Sequence, residues 1–257
     1  MLKEHAICPD TSLVRWTALS ACLILAAMPV CAQDDLESRE ERAFRAAVER
    51  VAPSVVRIET IGGSSRVGKI EFGAGPTTGL VVSPDGHVLT SAFNFLNRPS
   101  SILVQLPDGA RSAAQLVATD QSRMMVLLKI DAGRKLAVPR FAPLDEVRVG
   151  QWSIAVGRAF DSDRPGVAVG IVSALDRVWG KAVQTDAAVS PNNYGGPLVD
   201  IQGRVLGLIV PMSQTPEDHE TGLEWYDSGV GFAVTGEDLP KILARLKKGR
   251  DLHPGVI

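Results

Sequence analysis

Residues Thr78–Thr90 read TGLVVSPDGHVLT, in which two apolar runs flank a Ser-Pro-Asp-Gly turn. Proline presets the backbone of such a turn and glycine accepts a positive φ, so the stretch predicts a β-hairpin. The chain beyond Ser54 continues this pattern, with short runs of β-branched residues separated by glycine and proline. We expect strands at Val55–Ile61, Gly79–Val82, Val88–Ser91, Ile102–Leu106, Ala113–Val117, Val126–Ile130, Trp152–Val156, Val167–Ser173, Val183–Thr185, Pro197–Val199, Arg204–Val210 and Gly231–Val234. No parallel strand–helix–strand rhythm interrupts them, which predicts an all-β barrel or sandwich.

Length and composition set the scale of the fold. The 257 residues, of which 45% are hydrophobic, suffice for one or two packed barrels or sandwiches. The 27 lysines and arginines nearly balance the 29 aspartates and glutamates, for a net charge of -2. A chain with such balanced charge has no strong positive electrostatic field to attract nucleic acid or an anionic membrane, so neither is expected as a partner.

The first 32 residues have the pattern of a secretory signal peptide. Lys3 and Arg15 precede the apolar stretch Trp16–Val30, and small residues favour cleavage just before Gln33. The apolar run is shorter than the roughly 20 residues of a spanning helix, although an uncleaved anchor is the alternative. We therefore predict an extracytoplasmic, periplasmic or secreted protein with no membrane span after signal removal.

All three cysteines, Cys8, Cys22 and Cys31, lie in that predicted signal. A lipid on Cys31 is disfavoured, because Pro29 and Val30 replace the small residues that usually precede a lipidated cysteine. The mature chain is left without a thiol, which excludes disulfides, thiolate catalysis and cysteine metal sites.

Two helices are expected to flank the strands. The apolar residues of Asp34–Val51 recur at helical spacing until Pro53 stops the pattern. Near the other end, Thr235 is expected to cap a second helix, with Asp238 completing a capping box. The buried stripe of this helix is predicted at Leu239, Ile242, Leu243 and Leu246. The expected organisation is a helical segment at residues 33–53, a β domain at 54–250 and a tail at 251–257.

Four further motifs follow the hairpin in a fixed order. They are GIVSA at Gly170–Ala174, QTDAA at Gln184–Ala188, GGPLV at Gly195–Val199 and GVGFAV at Gly229–Val234. Together the five motifs resemble the HtrA/DegP-type trypsin-like serine proteases, from about Phe44 to about Lys248. The resemblance implies two six-stranded antiparallel β-barrels with the active site in the cleft between them. The family usually adds a PDZ domain, and none is expected in this sequence.

The resemblance also indicates where the catalytic residues of the family would stand. The histidine position, which follows a strand ending in Leu-Thr and two further residues, holds Phe93, and the aspartate position that opens MMVLLKI holds Met124. The serine position before Gly-Gly-Pro-Leu holds Tyr194. Serine proteases need a serine nucleophile, a histidine base and an orienting aspartate. The resemblance thus implies a catalytically degenerate pseudoprotease with no catalytic residue.

The alternative is a serine-type endopeptidase or other hydrolase that uses an unrecognised catalytic constellation, with Tyr194 or a serine not singled out here as nucleophile. A phenol with a pKa of about 10 is ionised in only about one molecule in a thousand at pH 7. Of the histidines after the signal, His87 is expected to be solvated in the hairpin turn, and His253 lies in the tail. His219 lies in the acidic loop Met212–Ser228, which could fold toward the cleft.

The backbone before Tyr194 could keep the conformation of an oxyanion hole without the catalytic side chains, because an oxyanion hole is made of backbone N–H groups. Asn192 stands where the family has glycine, and asparagine tolerates positive φ. Asn192, Asn193 and Tyr194 are therefore candidates for a residual oxyanion loop that could bind a peptide carbonyl or carboxylate. The alternative is a cleft plugged by Phe93 and Tyr194.

Partner binding is the function that these observations favour. We predict a protein- or peptide-binding or scaffold module of the cell envelope, whose partners are unfolded chains or active protease relatives. The family also allows a homo-oligomer. Trp225 and Tyr226 in the acidic loop are candidate contact residues, because exposed aromatics often anchor interfaces. The acidic residues of that loop more often form a solvated surface than a cation site, so no metal or cofactor is expected.

Overall fold

The computed structural model describes residues 30–62, 65–67, 70–72, 75–96, 98–160, 163–212, 229–236 and 239–253. The chain divides into two compact units, Met1–Ala43 and Phe44–Ile257. In the part of the chain described, no helix is long and apolar enough to cross a membrane.

The first barrel contains six strands from the first half of the second unit. They are β1 (Val55–Ile61), β4 (Pro76–Ser83), β5 (His87–Ser91), β6 (Ser101–Gln105), β7 (Arg111–Asp120) and β8 (Met125–Ile130). Every pairing is antiparallel, and the barrel closes in the order β1-β4-β5-β8-β7-β6. A separate two-stranded sheet of β2 (Ser65–Val67) and β3 (Ile70–Phe72) was not expected from the sequence.

The second barrel repeats this architecture with β9 (Trp152–Gly157), β10 (Gly166–Asp176), β11 (Ala182–Thr185), β12 (Pro197–Val199), β13 (Val205–Ile209) and β14 (Gly231–Thr235). It closes in the order β10-β11-β14-β13-β12-β9, again antiparallel. The predicted all-β, trypsin-like pair of barrels is confirmed, and each of the twelve expected strands is present.

The hairpin between β4 and β5 forms as its sequence predicts. Leu80 lies opposite Leu89 across the pair, and the N–H of Gly86 donates to the carbonyl of Ser83 at 3.2 Å. Gly86 has a φ of 95°, and a Cβ there would lie 2.3 Å from the carbonyl oxygen of Ile130. Both the backbone angle and the close approach require glycine.

Helices precede, connect and follow the strands. Helix α1 (Val30–Val51) ends in a 3-10 turn at Ala52–Ser54, and its buried Ala47 and Val51 lie in the core of the second unit. A four-residue turn, α2 (Arg177–Gly180), joins β10 to β11, and Val178 within it has a left-handed φ of 52°.

The last helix, α3 (Leu239–Leu246), buries Leu239, Ile242 and Leu246 as expected, with Leu243 partly buried. Thr235, however, is the last residue of β14. The expectation that it caps this helix is therefore wrong, because the strand continues further than its apolar run suggested. Asp238, the other half of the expected capping box, lies outside the described residues.

Candidate functional site

The site begins with an aromatic contact between the two barrels. Phe93 lies in the 3-10 turn Ala92–Phe95 that follows β5, where its N–H donates to the Oγ of Ser91 at 3.2 Å. Tyr194 precedes β12 of the other barrel. The two ring centroids are 5.6 Å apart and the planes make an angle of 70°. Only 6% of Phe93 and 4% of Tyr194 is exposed, so the pair is part of the protein core.

Met124 is joined by its backbone to the segment that carries Phe93. Its carbonyl accepts a hydrogen bond from the N–H of Ala92 at 2.7 Å, directly before Phe93. Met124 is half-buried and has left-handed backbone angles, with φ at 53° and ψ at 42°. This bond joins Met124 to the segment that carries Phe93, while Phe93 and Tyr194 pack against each other.

The turn before Tyr194 uses its own backbone donors. The N–H groups of Asn193 and Tyr194 both donate to the carbonyl of Ser190, at 3.0 and 3.1 Å. The N–H of Asn192 donates to the Oγ of Ser190 at 3.4 Å. Asn192 does not adopt a positive φ, which differs from the conformation that the sequence left open. In this arrangement the three amides of the candidate oxyanion loop are committed to Ser190, whose Ser-Pro context is a recognisable turn signal.

The Asn193 side chain braces the same turn. Its Oδ1 accepts from the N–H of Ser190 at 2.8 Å, and its Nδ2 donates to the carbonyl of Ala188 at 3.1 Å. No hydrogen bond involves the side-chain amide of Asn192 among the described residues, which leaves that amide available to a ligand.

Threonines of the first barrel hold the turn of the second. The Oγ1 of Thr78 donates to the carbonyl of Asn192 at 2.7 Å and accepts from the N–H of Arg158 at 2.8 Å. The Oγ1 of Thr77 donates to the carbonyl of Tyr194 at 3.0 Å. Both threonines are buried, so these bonds are shielded from competing water and fix the turn against the first barrel.

Gly195 allows the closest approach of the two barrels. It has a φ of 81°, and a Cβ at this position would lie 2.2 Å from the carbonyl oxygen of Thr78 and 2.4 Å from the Oγ1 of Thr90. Its N–H donates to the carbonyl of Ile209 at 2.7 Å. Any larger residue would push the Tyr194 turn away from the first barrel.

His87 is not solvated, which corrects the expectation from the sequence. Only 12% of its side chain is exposed, and its Nδ1 lies 2.9 Å from the Oγ of Ser83 and 3.0 Å from Oδ2 of Asp85. Burial lowers the pKa of His87, while Asp85 acts in the opposite direction. The hydrogen bond from Ser83, together with His87, lowers the pKa of Asp85. The alternation of these three residues around the hairpin turn is the signal that could have predicted the cluster.

This serine, histidine and aspartate do not form a catalytic triad. In a triad the serine and the carboxylate bind opposite ring nitrogens, so that the histidine can take the serine proton while the carboxylate holds its tautomer. Here Ser83 and Asp85 both contact Nδ1 of His87, and the hydroxyl of Ser83 also hydrogen-bonds to Asp85. The cluster fixes the turn between β4 and β5.

Of the remaining predicted residues, one is an exposed histidine and the others lie outside the described residues. His253 is exposed and its Nδ1 lies 3.0 Å from Oε1 of Gln121. His219, Trp225 and Tyr226, with most of the acidic loop, fall in the undescribed residues 213–228. Across the described ranges, no group of three or more histidine, cysteine, aspartate or glutamate residues is placed to hold a metal ion.

A cavity of about 280 Å³ opens beside the turn, and sequence reasoning missed it. It lies between Asn192–Asn193 and the connection from β9 to β10. Its walls are mainly apolar and include Phe160, Pro165, Val167 and Ala168.

Comparison with known sequences identifies the architecture. The sequence pattern of the trypsin-like peptidase domain matches residues 77–208. The chain belongs to the trypsin-like peptidase family. Within it, the domain is similar to HtrA/DegP-type proteins. HhoB and HhoA of Synechocystis sp., both named as serine proteases, are 28% and 30% identical to it over 88% of the chain. A DegP-like periplasmic serine endoprotease of Chlamydia trachomatis is 36% identical over 65% of the chain.

A solved structure shares the fold of this trypsin-like domain. The HtrA-type protease AlgW, determined with a tripeptide, superimposes with a TM-score of 0.64 and 27% identity over 80% of this chain. The alignment covers 64% of the AlgW chain. The chain spans 58% of HhoB, 62% of HhoA and 32% of the Chlamydia relative.

Proposed function

We propose that this trypsin-like domain is an HtrA-like pseudoprotease, a non-catalytic module that binds protein or peptide chains. The contact between Phe93 and Tyr194 carries the proposal, because it fills with two buried rings the place where a base would touch a nucleophile. A phenylalanine can neither accept nor donate a proton. Loss of the nucleophile or the base alone costs a serine protease on the order of a millionfold in turnover.

The geometry at Met124 supports its assignment to the missing carboxylate. A left-handed backbone is uncommon for methionine, whereas aspartate and asparagine adopt it several times more readily than other non-glycine residues. Met124 has this backbone beside the segment that carries Phe93. An ancestral aspartate there would account for both the backbone shape and the location.

The backbone N–H groups of the turn before Tyr194 already donate to Ser190, which argues against residual acyl-transfer chemistry. An oxyanion hole needs N–H groups directed at the developing negative charge. Here the N–H of Tyr194 donates to Ser190 instead. The cluster around His87 does not support the alternative of a hydrolase either, since Ser83 and Asp85 contact the same ring nitrogen of this histidine.

Two separate observations support an extracytoplasmic location for the protein. The amino-terminal 32 residues have the pattern of a secretory signal, and several relatives are named periplasmic. We therefore place the domain outside the cytoplasm, where unfolded chains or active protease relatives are its partners. Trp225 and Tyr226 remain candidate contact residues for such partners, and a homo-oligomer remains a prediction.

Binding and reaction with a covalent probe test this proposal together. The unmodified protein is expected to bind fluorescein-labelled β-casein in an anisotropy titration and to show no labelling by a fluorophosphonate, a serine-directed probe. The triple variant Phe93→His, Met124→Asp, Tyr194→Ser is the matched control for the missing groups. Stoichiometric labelling of the unmodified protein, or failure to bind casein, would overturn the proposal.

A further inference from the structure

Strand β10 has an edge that no other strand covers in the described part of the chain. On one side it pairs with β9 from Gly166 to Ile171. On the other side its pairing with β11 begins only at Val172. The first part of β10 therefore has a neighbour on one side only.

The hydrogen bonds of Val172 and Ile171 show which backbone groups are open. The N–H of Val172 donates to the carbonyl of Gln151 at 2.9 Å, on the β9 side. The N–H of Ile171 points the other way and donates to Oδ1 of Asp186 at 2.6 Å. Because these directions alternate along an antiparallel strand, the N–H and carbonyl groups of Val167 and Val169 also face away from β9.

The valines at this edge are accessible. Val167 is 47% exposed and Val169 is 41% exposed, and no hydrogen bond of either residue on the open side involves the described residues. Natural proteins usually protect such an edge with charge, proline or a covering element, because it is a template for another strand. Here it carries two exposed valines.

The cavity borders the first residues of β10. Val167 and Ala168 belong to its wall, and so does Asn192, whose side-chain amide makes no hydrogen bond among the described residues. Its volume of about 280 Å³ falls below the roughly 300–1,000 Å³ of small-molecule sites. A space of this size suits one or two side chains rather than a whole small ligand.

We propose that an extended, apolar segment of an unfolded polypeptide adds as a strand to β10 at Val167 and Val169 and places a side chain in this cavity. Backbone bonds to alternate residues provide affinity in this mode of recognition, and the pocket for a side chain provides preference. The alternate spacing of the open groups matches the two-residue repeat of an extended chain. The inference rests on the proposed chain-binding function and names the surface that performs it.

The test compares Val169→Pro with Val169→Ala in the full protein. Both variants remove the valine side chain, but only proline removes the N–H and sets its ring across the edge. Proline is tolerated where the N–H of an edge strand faces solvent, and circular dichroism checks that each variant folds. Affinity for fluorescein-labelled β-casein is expected to fall at least about fivefold in Val169→Pro, as the loss of a backbone bond implies, and less than about twofold in Val169→Ala.

Amide exchange of the unmodified protein, followed by NMR, tests the same edge without a mutation. The amides of Val167 and Val169 are expected to exchange fast in the free protein and to become protected when unlabelled β-casein binds. If casein binds but leaves both amides unprotected, or if the two variants bind it with equal affinity, the edge of β10 is not the binding surface. The proposed function itself remains intact in that case. If both amides are already protected without casein and light scattering shows a dimer, the edge binds a second copy of the chain. That result also overturns the inference. Absence of casein binding overturns the inference together with the proposed function.

Discussion

Phe93 and Tyr194 pack edge to face where the barrels meet, with ring centroids 5.6 Å apart. A polar triad in the same place would need hydrogen-bond partners for every buried group, whereas in this pair only the hydroxyl of Tyr194 needs one. Under the proposed pseudoprotease function, this pair stands where a base and a nucleophile would stand, and a reactive cleft has become part of the core. The pair buries apolar area at a position where an active relative needs polar chemistry.

The contribution of this contact to stability can be measured by truncation. Phe93→Ala is expected to lower the free energy of unfolding by about 3–5 kcal/mol, because it removes a buried ring and leaves a cavity beside Tyr194. Urea denaturation followed by tryptophan fluorescence gives the value. Phe160→Ala is the control, since Phe160 is 78% exposed and its loss should cost less than about 0.5 kcal/mol. Equal effects would mean that Phe93 is not part of the core.

The close approach at Gly195 makes a second prediction. Gly195→Ala should lower the free energy of unfolding by at least about 3 kcal/mol, since the new Cβ would add a clash with the Thr78 carbonyl to the strain of a positive φ. Gly109→Ala is the matched control, because Gly109 has a φ of 84° and nothing within 4 Å of the added Cβ. That variant should cost about 1–2 kcal/mol, the strain alone. Similar losses in thermal or urea unfolding would contradict the close approach of the barrels.

The buried imidazole of His87 predicts a dependence of stability on pH. Its pKa is lowered chiefly by burial, with Lys247 and Lys129 adding to this and Asp85 opposing it. The unfolded chain, with an ordinary pKa of about 6.5, therefore binds the proton more readily than the folded protein. The contribution of His87 is complete above about pH 6.5 and is lost as the pH falls toward the folded pKa.

A His87→Gln variant isolates that contribution. The urea midpoint of the unmodified protein should fall between about pH 7.5 and 5.5, and the fall should be smaller in His87→Gln. His253→Gln, which alters an exposed histidine, should follow the unmodified protein. If all three proteins lose stability in parallel, other groups cause the pH dependence.

The fold could be predicted from the sequence because its determinants are local. Turn chemistry around Gly86 and alternating apolar residues place each strand within a few residues of its observed bounds. The same local reading failed at His87, whose environment depends on side chains that converge around the turn, and at Thr235, where β14 continues past its apolar run.

The site could be predicted only in part, because its geometry depends on contacts distant in sequence. The motif Gly195–Leu198, directly after Tyr194, fixes the position of Tyr194, and the structure adds that Phe93 is its neighbour. The hydrogen bond from the Tyr194 amide to the Ser190 carbonyl could not be predicted from the sequence, since asparagine at position 192 permits several backbone conformations. The open edge at Val169 depends on where β11 ends relative to β10, which no local pattern specifies.

Turnover of an unfolded chain by the unmodified protein tests the central claim most directly. Fluorescein-labelled β-casein is incubated with the protein, with Tyr194→Phe and with buffer, and acid-soluble fluorescence is followed over time. The account predicts release equal to that in buffer for both proteins, because Phe93 cannot accept the proton of a nucleophile and Met124 cannot orient a base. Release by the unmodified protein that Tyr194→Phe abolishes would contradict it.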